Sequence, residues 1–213
     1  MISFREEALM TTSRTFLSPL AAVVFVSGAV LAVPGCGDKT SPTSHVAVQS
    51  TLGNTTEHPQ AQCQLASQLA WVNIGVLGSS KLPGDNSTVV SDGDAWQGQS
   101  VHVTACSVLQ NGANYEVHVS VTQDGQGSFT VNTVGTPLTY PGPVSGVQAI
   151  FARGDTGTFR QDDCTLDFPR PEMGIKGGAI WAHVSCPNVV FNAQSRTCGA
   201  DAEFRFENCD GAP

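Results

Sequence analysis

The stretch VHVTACSVLQNGANYEVHVSVTQDGQGSFTVNT, residues 101–133, changes polarity at almost every step. Tyr115, Val117, Val119 and Val121 alternate with Glu116, His118 and Ser120, the two-residue period of a strand with one buried face. Asn111-Gly112 marks a hairpin between this strand and the one before it. A two-residue loop placing Tyr115 opposite Val108 and Val119 opposite Thr104 mixes the faces. A three-residue loop, Asn111-Gly112-Ala113, sets Tyr115 opposite Leu109, Val119 opposite Ala105 and Val121 opposite Val103, and is the expected register because it keeps one face apolar. Asp124-Gly125-Gln126-Gly127 then turns the chain into Ser128–Asn132, with Phe129 and Val131 inward. The result is a three-stranded meander.

The same signals recur on both sides. Leu69–Leu77 reads as an earlier strand, with a possible helical start in CQLASQ. Gly146–Ala152 and Thr156–Gln161 flank a turn at Arg153-Gly154-Asp155, and Cys164–Phe168 follows. Ala179–Cys186 alternates Ile180, Ala182 and Val184 against Trp181, His183 and Ser185, and Ala202–Asn208 points Phe204 and Phe206 to one side. Seven or more strands separated by turn signals predict an all-β, antiparallel β-sandwich over residues 63–213.

Composition agrees. Charged residues are 13% of the 213-residue chain while Gly numbers 22 and Pro 12, a balance of strands and turns rather than long helices. The net charge of −8 argues against a nucleic-acid partner, whose phosphates need a basic field. Of the seven cysteines, six lie beyond residue 60 and none forms a C-x-x-C pair, so three disulfides are expected and zinc is not. Spacing leaves the connectivity open. The expected pairs are Cys186–Cys198 across a short loop, Cys164–Cys209 and Cys63–Cys106.

The front of the chain supplies the compartment. Phe16–Val33 is a run without charge, interrupted by Pro19 and Gly28, and Leu20–Val33 fits the hydrophobic region of an export signal. Met10 is an alternative start to Met1. Val33-Pro34-Gly35-Cys36 resembles the lipobox of bacterial lipoproteins, with an aliphatic residue three before the cysteine and a small one just before it. That resemblance covers the first forty residues only. It implies cleavage before Cys36, a diacylglycerol joined to its thiol, and a domain held on the outer side of a bilayer in the cell envelope. Ordinary secretion and a retained helix are the competing readings. Gly37–Gln62, rich in Ser, Thr, Gly, Pro and Gln, is expected to be a flexible tether, with His45 and His58 in solvent. The chain thus divides into a signal peptide (1–35), an acylated cysteine with tether (36–62) and the sandwich (63–213).

No nucleophile elbow, zinc helix, phosphate loop or dinucleotide fingerprint is present, and no cofactor is expected. His102, Cys106 and His118 share a face in the expected register, a metal set only if Cys106 is reduced. Asp85, Asp92 and Asp94 lie in a Gly-rich loop that calcium would tolerate. Asp162 and Asp163 with Arg160, and Asp167 with Arg170, read as surface ion pairs. Trp181 falls opposite the aliphatic face of its strand, and an exposed tryptophan can stack on a sugar. The sequence therefore points to a lipid-anchored interaction or binding protein with no catalytic residues. A carbohydrate- or calcium-binding module using Trp181, Asp92 and Asp94 is the alternative, and an envelope hydrolase with an unfamiliar site is the third.

Overall fold

A computed structural model describes residues 42–66, 69–78, 87–133, 135–191 and 195–211. Residues 1–41, with Cys36 and the segment expected to be an export signal, and Asp85 lie outside the described residues. The strands are β1 (His45–Gly53), β2 (Leu69–Ile74), β3 (Val90–Ser91), β4 (Ala95–Trp96), β5 (Gln99–Asn111), β6 (Asn114–Gln123) and β7 (Gly127–Asn132). They continue as β8 (Leu138–Thr139), β9 (Val144–Arg153), β10 (Gly157–Asp167), β11 (Gly174–Lys176), β12 (Ala179–Phe191) and β13 (Arg196–Glu207), with one short helix, α1 (Gln60–Cys63).

The fold is all-β and antiparallel, as expected. Its two walls are one continuous sheet, ordered β2-β1-β13-β12-β10-β9-β7-β6-β5-β4, that curls towards a barrel. The segment carrying β3 and β4 draws the ends together. Val90 and Ser91 pair with Val46 and His45, while Gly93 N–H donates to Val101 O at 2.9 Å. Phe129 of β7 meets Phe204 of β13 across the interior, ring centroids 5.4 Å apart, and Trp71 packs edge-on to Phe159. Burial of these aromatic and β-branched side chains is the main stabilising term.

The segment Gly37–Gln62, expected to be a flexible tether, instead contributes to the sheet: His45–Gly53 is strand β1, paired with β13 along its whole length and with β2 on its other edge. Val46, Ala47 and Val48 are all fully buried, so a central strand covered on both faces replaced the alternation that would have announced it. Gly75 and Thr88 close over the outer side of Ala47.

The hairpin register also differs. Asn111 pairs with Asn114 around a two-residue loop, Gly112-Ala113, with Gly112 at φ +63°. Near the tip Val108 faces Val117 and Cys106 faces Val119; a bulge at Thr104 then shifts the pairing so that Val103 faces Val121, as expected. The extra residue rotates β5 by half a pleat. Val101 and Val108 are both inward despite their odd separation, and Leu109, expected inward, is exposed. Thr156–Gln161 and Cys164–Phe168 merge into β10, whose register slips near Cys164.

Six cysteines form three disulfides, but with other partners than expected: Cys63–Cys198, Cys106–Cys209 and Cys164–Cys186. In the β12–β13 ladder Cys186 stands opposite Ala200, which removes the local Cys186–Cys198 closure. On its other edge β12 meets β10, where the Thr165–Ser185 pairing puts Cys164 across from Cys186. Cys209 follows β13 onto β5, where Asp210 N–H donates to Cys106 O at 2.9 Å, and Cys63 ends α1 beside β13.

Candidate functional site

The outer face of β10, β12 and β13 gathers a cluster of hydrogen-bonded and ion-paired side chains. Alternation along β12 aims Trp181, His183 and Ser185 outward, while Ile180, Ala182 and Val184 fill the core. Along β13 the same period turns Asp201, Glu203, Arg205 and Glu207 outward. Pairing brings His183 beside Glu203 and Trp181 beside Arg205.

His183 lies between two carboxylates. Its Nδ1 is 3.0 Å from Asp167 Oδ1 and its Nε2 is 3.6 Å from Asp201 Oδ1. Hydrogen bonding to Asp201 and then Asp167 raises the imidazole above its ordinary value of 6.5, against the opposing effect of burial. The His183 hydrogen bond, aided by Ser185, holds Asp201 below 3.8. With both ring nitrogens facing carboxylates, the protonated form of the imidazole is favoured relative to a free one. A groove of about 420 Å³ opens beside it, bordered by Gln49, Asn73, His183, Asp201 and Glu203. Its lining offers carboxylate and amide oxygens, suited to a ligand with N–H or O–H donors.

Trp181 is not a stacking platform. It is 2% exposed, with the guanidiniums of Arg170 and Arg205 lying 5.2 and 5.0 Å from its ring centroid. Its Nε1–H donates to Glu203 Oε1 at 2.9 Å, and Arg170 donates to the same carboxylate. Charged side chains have covered a face that alternation assigned to solvent. Trp71 is buried as well, and Trp96 half-buried.

The remaining residues are scattered. Asp92 Oδ1 accepts the Val103 N–H at 2.9 Å, so its carboxylate supports β5 just before the bulge; Asp94 is exposed and its carbonyl accepts the Val101 N–H. His102 and His118 stay on the exposed face, but the Thr104 bulge turns Cys106 to the core side, where it is disulfide-bonded, so the expected set of three is parted. No group of three or more His, Cys, Asp or Glu among the described residues is arranged to hold a metal. Arg160 pairs with Asp162 as expected, whereas Asp167 faces His183 and Arg170 binds Glu203 and Glu172. Partner choice here follows strand order, which the sequence spacing does not carry.

No family model matches the chain, and no curated protein or solved structure is similar to it. Among the described residues no helix is long and apolar enough to cross a membrane.

Proposed function

We propose that the protein is a lipid-anchored binding module of a bacterial cell envelope, acylated at Cys36, with the His183 groove as its ligand-facing surface. The observation that carries this reading is the complete pairing of Cys63, Cys106, Cys164, Cys186, Cys198 and Cys209. Such pairing fits an oxidising compartment. Of the seven cysteines, Cys36 alone is not a member of these three bridges, and it lies at the lipobox-like Val33-Pro34-Gly35-Cys36. Two or more acyl chains hold a protein on a bilayer where one chain gives marginal binding. Binding is favoured over catalysis because the groove's imidazole faces an aspartate at each nitrogen.

Metabolic labelling with an alkyne fatty acid, followed by intact-mass analysis of the mature chain, tests the anchor. The expected product begins at Cys36 and carries label, and Cys36→Ser abolishes both labelling and membrane retention. An unlabelled mature chain, or one still bearing its first thirty-five residues, refutes the reading.

A further inference from the structure

We infer that the end of the barrel formed by the β5–β6 tip, β8 and the β11–β12 turn rests on the lipid bilayer, inserting Leu109 and Tyr140 among the headgroups. The inference builds on acylation of Cys36 and adds which surface the anchor presents to the membrane.

Chain length supplies the first argument. The domain begins early: Asn208 Nδ2 donates to Thr43 O at 3.0 Å, and Asp92 N–H donates to Ser44 O at 2.9 Å, before β1 enters the sheet. From Cys36 to Thr43 the chain reaches at most about 25 Å fully extended. Strand β6, Asn114–Gln123, is alone about 33 Å long. An anchor this short keeps the end near Thr43 at the bilayer and the opposite end away from it.

The surface next to that attachment point supplies the second. From Asn208, which holds Thr43, the chain runs through the Cys209 bridge to Gly211, which packs against Val108 O and the Leu109 side chain. Leu109 and Lys176 border one shallow depression, and Lys176 and Tyr140 border the next. Tyr140 follows β8, which pairs with Asn114 and Tyr115 at the tip of the same hairpin. The surface is therefore continuous from Thr43 to Tyr140.

Its chemistry suits a headgroup layer. Leu109 and Tyr140, 45% and 44% exposed, are the two most exposed large hydrophobics among the described residues. A tyrosine with an apolar ring and a polar tip belongs at a membrane–water boundary. Lys176 is exposed and in no ion pair among the described residues, and can snorkel to phosphate. Glu116 and Asp210 also lie here, so apolar insertion and the acyl chains, rather than net charge, hold this end down.

Hydrogen exchange on the full acylated protein tests the inference. The protein is compared in detergent and in vesicles of phosphatidylethanolamine and phosphatidylglycerol. Amides 109–113, 138–140 and 176–178 are expected to exchange about tenfold more slowly in vesicles, with the turn at 154–156 unchanged. Leu109→Ser/Tyr140→Ser, still acylated, is expected to lose that protection. Acylated, vesicle-bound protein protected elsewhere, or nowhere, overturns the inference and leaves the anchor standing. Protection in native envelope fragments but not in pure lipid assigns the surface to a protein partner and also overturns it. A mature chain whose mass lacks acyl groups instead refutes the anchoring itself.

Discussion

His183 and Trp181 stand two residues apart on the same side of β12, yet the physics that fixes each is different. His183 is held by charge. Its folded pKa is raised above 6.5, so the protonated ring stabilises the fold at pH below that value, and the contribution fades as pH climbs through the raised value. Asp201 is depressed below 3.8, so its contribution is present above that value and is lost as pH falls through the lower one. Between 3.8 and 6.5 both operate. His183→Gln keeps a hydrogen-bonding side chain but cannot charge. Its unfolding free energy should fall below that of the natural protein most in this window, by on the order of 1 kcal/mol for a partly exposed pair, and the gap between denaturant unfolding curves should narrow by pH 9. A gap that stays constant with pH would show that charge plays no part. Trp181 is held by packing under Arg170 and Arg205. Trp181→Ala should therefore lower the unfolding free energy by about 3 kcal/mol, read from denaturant unfolding curves and in line with large buried truncations; a neutral effect on stability would return the ring to the ligand-facing role that burial denies it.

At the scale of elements, the meander, the alternating strands and the six-cysteine framework were legible because each is a local signal. Period-two polarity announced β6 and β7 within a residue or a few of their observed ends and found only part of β12 and β13, which run on to Phe191 and begin at Arg196, while β5 shows what locality misses. Thr104 is one extra residue in a ladder, invisible in composition, yet it decides that Leu109 faces solvent and that Cys106 faces the core. β1 escaped for the opposite reason, since Val46, Ala47 and Val48 are buried consecutively and make no alternation. The ion pairs of the candidate site and the disulfide partners depend on which strands become neighbours, a long-range property. Glycine shows the same division between local and long-range control. Gly112 and Gly75 both have positive φ, +63° and +67°, a region that disfavours side chains. Around Gly112 nothing lies within 4 Å of an added methyl, whereas at Gly75 it would sit 2.3 Å from Thr88 O and 3.0 Å from Ala47 Cβ. Gly112→Ala should then cost about 1 kcal/mol. Gly75→Ala adds a backbone clash and should cost more than about 2 kcal/mol, read from paired chemical unfolding curves. Equal losses would mean that the turn conformation alone matters and the closure over β1 does not.

For the whole molecule, the three bridges differ in what they constrain, and the sheet order says which matters most. Cys164–Cys186 joins strands already hydrogen-bonded to each other, and it closes a loop of sequence separation 22. Cys63–Cys198 and Cys106–Cys209 have separations of 135 and 103. The first ties α1 to β13, and the second fixes the tail after β13 onto β5, joining two parts of the sheet that lie far apart in its strand order. Loop-closure entropy assigns about 5 kcal/mol to either long bridge and about 3.5 kcal/mol to the short one. Replacing Cys63 and Cys198 by Ala, or Cys106 and Cys209, should therefore lower the melting temperature more than replacing Cys164 and Cys186, by roughly 3–6 °C for a chain of this size. The Cys106–Cys209 variant should also lose exchange protection at Val108 and Asp210, whose amides bond across that contact, while β10 and β12 keep theirs. If the short bridge proves the most stabilising of the three, the barrel is held by its ladders alone and the long bridges are redundant with the core.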